Sequence, residues 1–373
     1  MHSRILPKLK RLSHAGMVMF VLLSLNSCRS SRYESVLNIS FDVMNGKSLS
    51  LSDITDEISV IELELTDKNP VNPDYIIRVF KDEDYIFVAG TKDIQIYDNS
   101  GKYIRTIGSI GQGPGEYSSI VNSVIDKKNK RIFLNSNRKI ICYDLEGKFL
   151  KEQFVQNGGV IKDINHIGDE LLVLIEFKGK RDTKGIYNHS LIYSFNDELQ
   201  ITDSCTIRKD YFNSDIYSIF YNYKDLILRG NSMIYLYFPF LYSNEQEPVE
   251  PSIPDTLYCY TNNRLSPELS IKFNKNDLGN IVLYNIYRSS RYVFLRYNNN
   301  KNGKIFYYCH DIKTNVGYNI QDGYIDDINH TEKPVKIRPF NSDTEFFYYL
   351  HTKIKPGELE EPNPTLYIGR LKK

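Results

Sequence analysis

The tetrapeptide Asp-Ile-Asn-His occurs twice, at Asp163–His166 and Asp327–His330, and these are the residues whose chemistry first invites attention. His and Asp are metal ligands, so the pair suggests a metal site. The copies fall, however, in what reads as the third and sixth units of a repeat, on opposite walls of a six-membered ring. Ligand bonds of about 2 Å cannot reach one ion from both walls. A repeated turn lining the mouth of a polar funnel is the better reading, and no metal is assigned. Asp126, Asp163, Asp326 and Asp327 lie near the ends of inner strands, where paired carboxylates would suit acid–base chemistry. Spacing in sequence fixes no distance between them. In Tyr287-Arg-Ser-Ser-Arg-Tyr292, a turn sets Arg288 and Arg291 beside Tyr292, a pattern suited to docking an anionic group.

The glycine-rich run Gly108–Gly115 invites a phosphate-loop reading, which needs a helix directly after the loop. Pro114 breaks the spacing and residues 120–126 read as a strand, so the run is a tight connection between strands. Glu116 and Tyr117 close it and join the candidate binding residues. No Ser/His/Asp order and no G-x-S-x-G motif is present, so no catalytic residue is assigned.

These residues need a scaffold, and composition leans towards sheet. The chain of 373 residues is 41% hydrophobic and 13% aromatic, with 29 Tyr, 19 Phe and no Trp. Tyr and Phe favour half-buried pleated surfaces. No stretch keeps a 3.6-residue apolar period, so helices should be few. Tyr217, Tyr221, Tyr223, Tyr235, Tyr237, Tyr242, Tyr284, Tyr287 and Tyr292 are dense enough to line a docking face, but most sit in alternating strands as packing residues.

The first 27 residues carry Arg4, Lys8, Lys10 and Arg11 and no acid. An apolar run follows at residues 15–25, too short to span a bilayer, which takes about 20 residues. It is right for a secretory signal. Leu25-Asn26-Ser27-Cys28 resembles a lipobox, which implies that Cys28 is lipidated after cleavage. Several acyl chains on one Cys anchor stably. Arg29 and Arg32 follow where acidic residues would resemble a surface-display signal, which favours an outer-membrane lipoprotein facing the periplasm. Subtracting the four leading positives from the formal +1 leaves −3, with no electrostatic footprint for nucleic acid. Cys142, Cys205, Cys259 and Cys309 form no C-x-x-C pair and read as free thiols, most of them in buried strands.

The organising feature is a repeat. Ile94-Gln-Ile-Tyr-Asp-Asn-Ser-Gly-Lys-Tyr-Ile104 recurs as Ile140-Ile-Cys-Tyr-Asp-Leu-Glu-Gly-Lys-Phe-Leu150. Asp98–Gly101 and its copy make hairpin turns in which glycine supplies positive φ. Strand pairs at 76–80 with 85–89, and at 120–126 with 131–135, precede the two copies, giving four strands per unit. Weaker units follow at 160–205, 216–273, 281–320 and 323–370, the fourth with an insertion at 242–255 that is a second candidate recognition loop. The sixth is one strand short, and residues 58–65 can supply it and remove exposed sheet edges.

The segment Ile107-Gly-Ser-Ile-Gly-Gln-Gly-Pro-Gly-Glu-Tyr117, after a Tyr-Asp-x-x-Gly-Lys hairpin, resembles the inter-blade loop of NHL-like propellers. With the lipobox, the chain resembles the six-bladed β-propeller lipoproteins of gut-type Gram-negative bacteria. The resemblance implies a fold and an address but hardly a function. The expected architecture is all-β: residues 1–27 signal peptide, 28–53 lipidated Cys and tether, and 54–373 a propeller of four-stranded blades closed by its N-terminal strand. Six blades fit best, with seven as the alternative. The expected role is a monomeric, lipid-anchored binding or scaffold protein for a protein or glycan in the envelope, without a cofactor. The alternative is a propeller hydrolase or lyase, lactonase-like or glycan-degrading, with an acidic or Ca²⁺-assisted site at the channel mouth.

Overall fold

The computed structural model describes residues 36–41, 48–67, 69–212, 225–230, 232–239, 246–249, 255–273, 281–299, 304–340, 342–353 and 362–373. Among them the chain is almost entirely strand, with one short helix, α1 (Leu51–Ile54), and one 3-10 turn (Pro73–Tyr75).

In chain order, β1 (Leu37–Phe41) and β2 (Thr55–Glu62) come before the first complete sheet. That sheet is the meander β3 (Ile76–Lys81), β4 (Tyr85–Gly90), β5 (Ile94–Asp98) and β6 (Tyr103–Ile107). A small parallel pair, β7 (Ser109–Ile110) and β8 (Glu116–Tyr117), leads to the second meander. It consists of β9 (Asn122–Asp126), β10 (Arg131–Ser136), β11 (Lys139–Asp144) and β12 (Phe149–Phe154). The third has longer strands: β13 (Val160–Ile167), β14 (Glu170–Asp182), β15 (Gly185–Phe195) and β16 (Ile201–Phe212). The fourth holds β17 (Ile227–Gly230), β18 (Met233–Leu236), β20 (Thr256–Thr261) and β21 (Arg264–Phe273). Between them β19 (Gln246–Val249), from the insertion, pairs back onto β16 as a fifth strand of the third sheet. β1 pairs in parallel with β21 and so widens the fourth sheet.

The fifth sheet is β22 (Ile281–Arg288), β23 (Tyr292–Asn299), β24 (Lys304–Asp311) and β25 (Val316–Gln321). The sixth is β26 (Arg338–Phe340), β27 (Asp343–His351) and β28 (Thr365–Leu371), completed by β2 lying antiparallel to β28. The strand expected near residue 60 is therefore present, and it pairs with the end of the chain. Glu64 N–H extends the contact to Gly101 O at 2.8 Å. Gly101 has φ +90°, and a Cβ there would collide with the Glu62 carbonyl.

Alternation gives each sheet two apolar faces. On β4, Phe87 and Ala89 face a cluster shared with the second sheet, while Ile86 and Val88 face one shared with the sixth. On β14, Leu171, Val173 and Ile175 pack towards the second sheet and Leu172 and Leu174 towards the fourth. Sheets buried on both faces stack one against the next, which explains why these strands read as continuous apolar runs.

One expected inner strand is corrected, and another lies outside the described residues. In the sixth unit, residues 323–328 make only isolated bridges at Tyr324 and Ile325 and then turn; the edge strand is β26. In the fourth, the expected strand at 216–222 lies outside the described residues, and the edge strand is β17. The four cysteines are free, Cys142, Cys259 and Cys309 buried and Cys205 half-buried.

Removing residues 54–66 is expected to cost more stability than Leu366→Ala, which truncates a fully buried β28 side chain and should cost about 2–5 kcal/mol. Chemical denaturation of both variants checks this. A deletion that melts like the intact chain would show that β2 contributes no essential pairing.

Candidate functional site

Arg78 interrupts the apolar run Ile76-Ile-Arg-Val-Phe80 and is 1% exposed. A guanidinium in such a place must find carboxylates and carbonyls or the fold fails. Its Nη2 lies 3.0 Å from Asp163 Oδ1 on β13 and 3.3 Å from Asp225 Oδ1, just before β17. Its Nη1 donates to Ser123 O on β9 at 2.9 Å and to Ile164 O at 3.2 Å. Asp225 Oδ2 in turn accepts from Arg338 Nη2 on β26 at 2.8 Å, and Arg338 also donates to the carbonyls of Ile76 and Ile77. Asn285 of β22 reaches Asp225 O at 3.4 Å. Among the described residues, the first strands of the six larger sheets thus meet around two arginines and two aspartates, whose formal charges cancel.

Asp163 is the centre of this cluster, not a turn residue. Its Oδ2 accepts from Leu226 N at 2.6 Å and Ile227 N at 2.9 Å, and its Oδ1 from Ile164 N at 2.7 Å and from the Asn122 amide. Sequence reasoning placed Asp163 at an inner strand but missed Arg78, Asp225 and Arg338. The signal available for Arg78 was a charge at the centre of an otherwise apolar strand.

The expectation of a repeated turn is corrected: 163–166 lies within β13, and only 327–330 forms a turn. His166 stacks on Phe133 and lies 3.4 Å from Asp126 Oδ2. Burial, which outweighs the attraction of Asp126, lowers the His166 pKa. Asp327 is exposed and accepts from Ser52 N and Oγ, and His330 closes the turn at φ +54°. Asp126 belongs to Arg131, at 2.6 Å, and to Asn129. Burial pushes its pKa up, and those bonds bring it net below the usual carboxylate range. Asp326 accepts from Tyr349 Oη at 2.6 Å. The four acids expected near inner-strand ends therefore have four separate sets of partners. Among the described residues no three His, Cys, Asp or Glu side chains gather as a metal site.

The arginine turn is also already satisfied. Arg288 pairs with Glu268, Arg291 forms a bidentate pair with Asp311 at 2.7–3.2 Å, and Ser290 bonds Glu345 through both its N–H and its hydroxyl. The anionic groups that this turn suits are its own neighbours. Tyr292 is 2% exposed, a core residue beneath Arg291. Glu116 holds the glycine loop through Gly113 N at 2.8 Å, and the buried Tyr117 donates to Lys92 O at 3.0 Å. The loop runs from β6, the last strand of one sheet, to β9, the first of the next, and no helix follows it. Of the tyrosines singled out, Tyr235, Tyr237, Tyr287 and Tyr292 are buried and Tyr284 is half-buried. Tyr217, Tyr221, Tyr223 and Tyr242, most of the insertion, and Cys28 lie outside the described residues.

Comparison with known proteins decides the family. A family model described as a domain of unknown function, DUF4934, matches residues 34–366. The chain belongs to the DUF4934 family. Curated proteins give this DUF4934 chain no sequence match. Among solved structures, one described as an exported protein of Bacteroides fragilis is similar at TM-score 0.59 and 16% identity, covering 90% of this chain and all of that one. That likeness is one of fold. The β-propeller domain of Myceliophthora thermophila Cps50 (Swd1) is similar at TM-score 0.40 and 10% identity, over 80% of this chain and 98% of that one. A Bacteroides caccae protein of unknown function gives 0.37 and 10%, over 71% and 82%. Among the described residues, no helix of this DUF4934 chain is long and apolar enough to cross a membrane.

Two outcomes are expected. Arg78→Met should cost about 3–5 kcal/mol in denaturant unfolding, because it strands Asp163 and Asp225, and Asp163→Asn added to it should recover part of the loss. A change within 0.5 kcal/mol on the order of a surface substitution would contradict the network. Acidification should also destabilise the fold. His166 in the folded chain titrates below its unfolded value of about 6.5, so the unfolded chain binds the extra proton and stability falls as pH drops below that value. His189, His310 and His351 are shifted the same way by burial. His166→Asn should make melting temperature less sensitive to pH between 7 and 5; an unchanged slope would contradict the assignment.

Proposed function

We propose that this chain is a lipid-anchored six-bladed β-propeller of NHL-like repeats that binds a protein or glycan partner in the cell envelope and does not turn it over. The observation that carries the reading is the filled axis. Inner-strand carboxylates that would have to act at a channel mouth are instead bound to arginines, backbone amides and tyrosine hydroxyls. A carboxylate whose oxygens are taken up by a guanidinium and several N–H groups has none left to face a substrate, which disfavours the hydrolase or lyase alternative.

Six blades and a closed ring are supported by contacts between every consecutive pair of sheets. Ile120 N bonds Thr91 O, Ile161 N bonds Asn137 O, and Asn165 Nδ2 bonds Ile227 O. Tyr237 Oη bonds Leu283 O, Thr344 Oγ1 bonds Arg288 O, and Val79 N bonds Tyr348 Oη, which links the first sheet to the sixth. The signal-like start and Cys28 support the anchor, and the likeness to an exported Bacteroides fragilis protein agrees with export. An outer-membrane protein facing the periplasm is the location we adopt.

Cys28→Ala should move the protein from the membrane to the soluble fraction, and unchanged partitioning would remove the anchor. Crosslinking in intact cells followed by pull-down of the full chain should recover one envelope partner in stoichiometric amount. A preparation that comes down alone, or one that consumes an envelope substrate, would refute the binding reading.

A further inference from the structure

Leu172, Leu174, Ile192 and Ile207 fill the interface between the third and fourth sheets. Further along the same face the chemistry changes. Glu176 on β14, Ser190 on β15 and Arg208 on β16 stand opposite one another in register, with Asp210 two residues beyond Arg208. Lys162 Nζ and Lys178 Nζ lie 3.1 Å and 3.8 Å from Glu176 Oε2, and Arg208 Nε lies 2.8 Å from Asp210 Oδ2. Arg208 also donates to the carbonyls of Phe238 and Pro239 and covers the Phe238 ring. Apolar side chains would hold two sheets together at lower desolvation cost than five charged ones, so packing alone does not account for this polar end.

Two atoms point to a ligand. Ser190 is fully buried and Asp210 is 5% exposed, yet Ser190 Oγ and Asp210 Oδ1 have no hydrogen-bond partner among the described residues. Buried polar atoms in native proteins are nearly always bonded, so two orphans within one charged cluster leave a place for a partner from outside the described residues. Lys162 and Lys178, with side chains 14% and 16% exposed, are the most exposed members of the cluster.

We infer that the polar end of this interface binds a neutral, polyhydroxylated ligand, a saccharide. Three cations against two carboxylates leave little net charge to select an ion. An anionic ligand would face the unsatisfied Asp210 oxygen beside Glu176, and a cationic one would face Lys162, Lys178 and Arg208. A sugar hydroxyl meets both orphans, donating to Asp210 Oδ1 while a neighbouring oxygen accepts from Ser190 Oγ or a lysine. A peptide would bring apolar side chains against a charged face. The inference rests on the binding reading above and narrows it to the glycan class.

The test is calorimetric titration of the full chain, in detergent, with neutral hexasaccharides of glucose, mannose and xylose and with hexagalacturonate. One or more neutral sugars should bind, with Asp210→Asn and Ser190→Ala each weakening binding by about tenfold, as loss of a hydrogen bond involving a charged or buried group would. Ser190→Ala removes only an unpartnered hydroxyl, so its melting curve should match the parent and keep the test valid even where Asp210→Asn fails to fold. No neutral sugar bound, preference for hexagalacturonate, or parental affinity in Ser190→Ala would overturn the inference. Any of these alongside a crosslinked partner would leave the binding reading standing, whereas any of these together with an empty pull-down would remove both.

Discussion

The guanidinium of Arg78 sits where water is excluded and where the first strands of six sheets converge, and much of the architecture follows from satisfying it. Asp163 and Asp225 supply the counter-charges, Ser123 and Ile164 the carbonyls, and Arg338 the second cation that Asp225 then requires. A buried ion network of this kind adds little stability relative to apolar packing, but it tolerates few alternative arrangements, because each missing partner leaves a charge exposed to a low dielectric. Here it specifies which strand of each sheet faces inward. It also occupies the carboxylates of Asp163 and Asp225.

Around that centre the sheets behave as a stack. In the first three sheets the central strands send odd and even side chains into two different apolar clusters, so each of these sheets depends on both neighbours. Such an arrangement leaves the first and last sheets with open faces and edges unless they meet. β2 pairs with β28, and Val79 N–H donates to Tyr348 Oη between the first and sixth sheets, the contacts behind the closed ring we propose. Tyr348 is itself buried there, which pushes its hydroxyl up to about 12, so at any physiological pH it stays a neutral hydroxyl and accepts from Val79 N–H as such.

Much of this was legible. Period-two alternation and the Tyr-Asp-x-x-Gly hairpin located most strands in the first three units and the fifth, because long strands bounded by turn residues leave a strong local signal. β17 and β26 were missed because they have only four and three residues, the latter with Pro339 at its centre, and they are held by contacts from other sheets. Residues 323–328 read as a strand on composition, yet Asp326 bonds Asn329 N and Asp327 bonds Ser52, and these side-chain bonds make a turn the better solution. The candidate site fared less well for the same reason. Arg288 and Arg291 look available in sequence, but Glu268 and Asp311, 20 residues away in opposite directions, claim them. Partnership across sheets is a property of the fold, and no spacing rule within one strand reveals it.

The charged centre can be tested through one backbone amide. Leu226 N–H belongs to no strand, and its hydrogen bond is to Asp163 Oδ2. Native-state hydrogen exchange should find Leu226 as slow as Val173 in the middle of β14, opening only with global unfolding. Exchange at the rate of an exposed turn such as Asn99–Ser100 would mean that Asp163 does not hold the fourth sheet, and the account of a charged centre would fail.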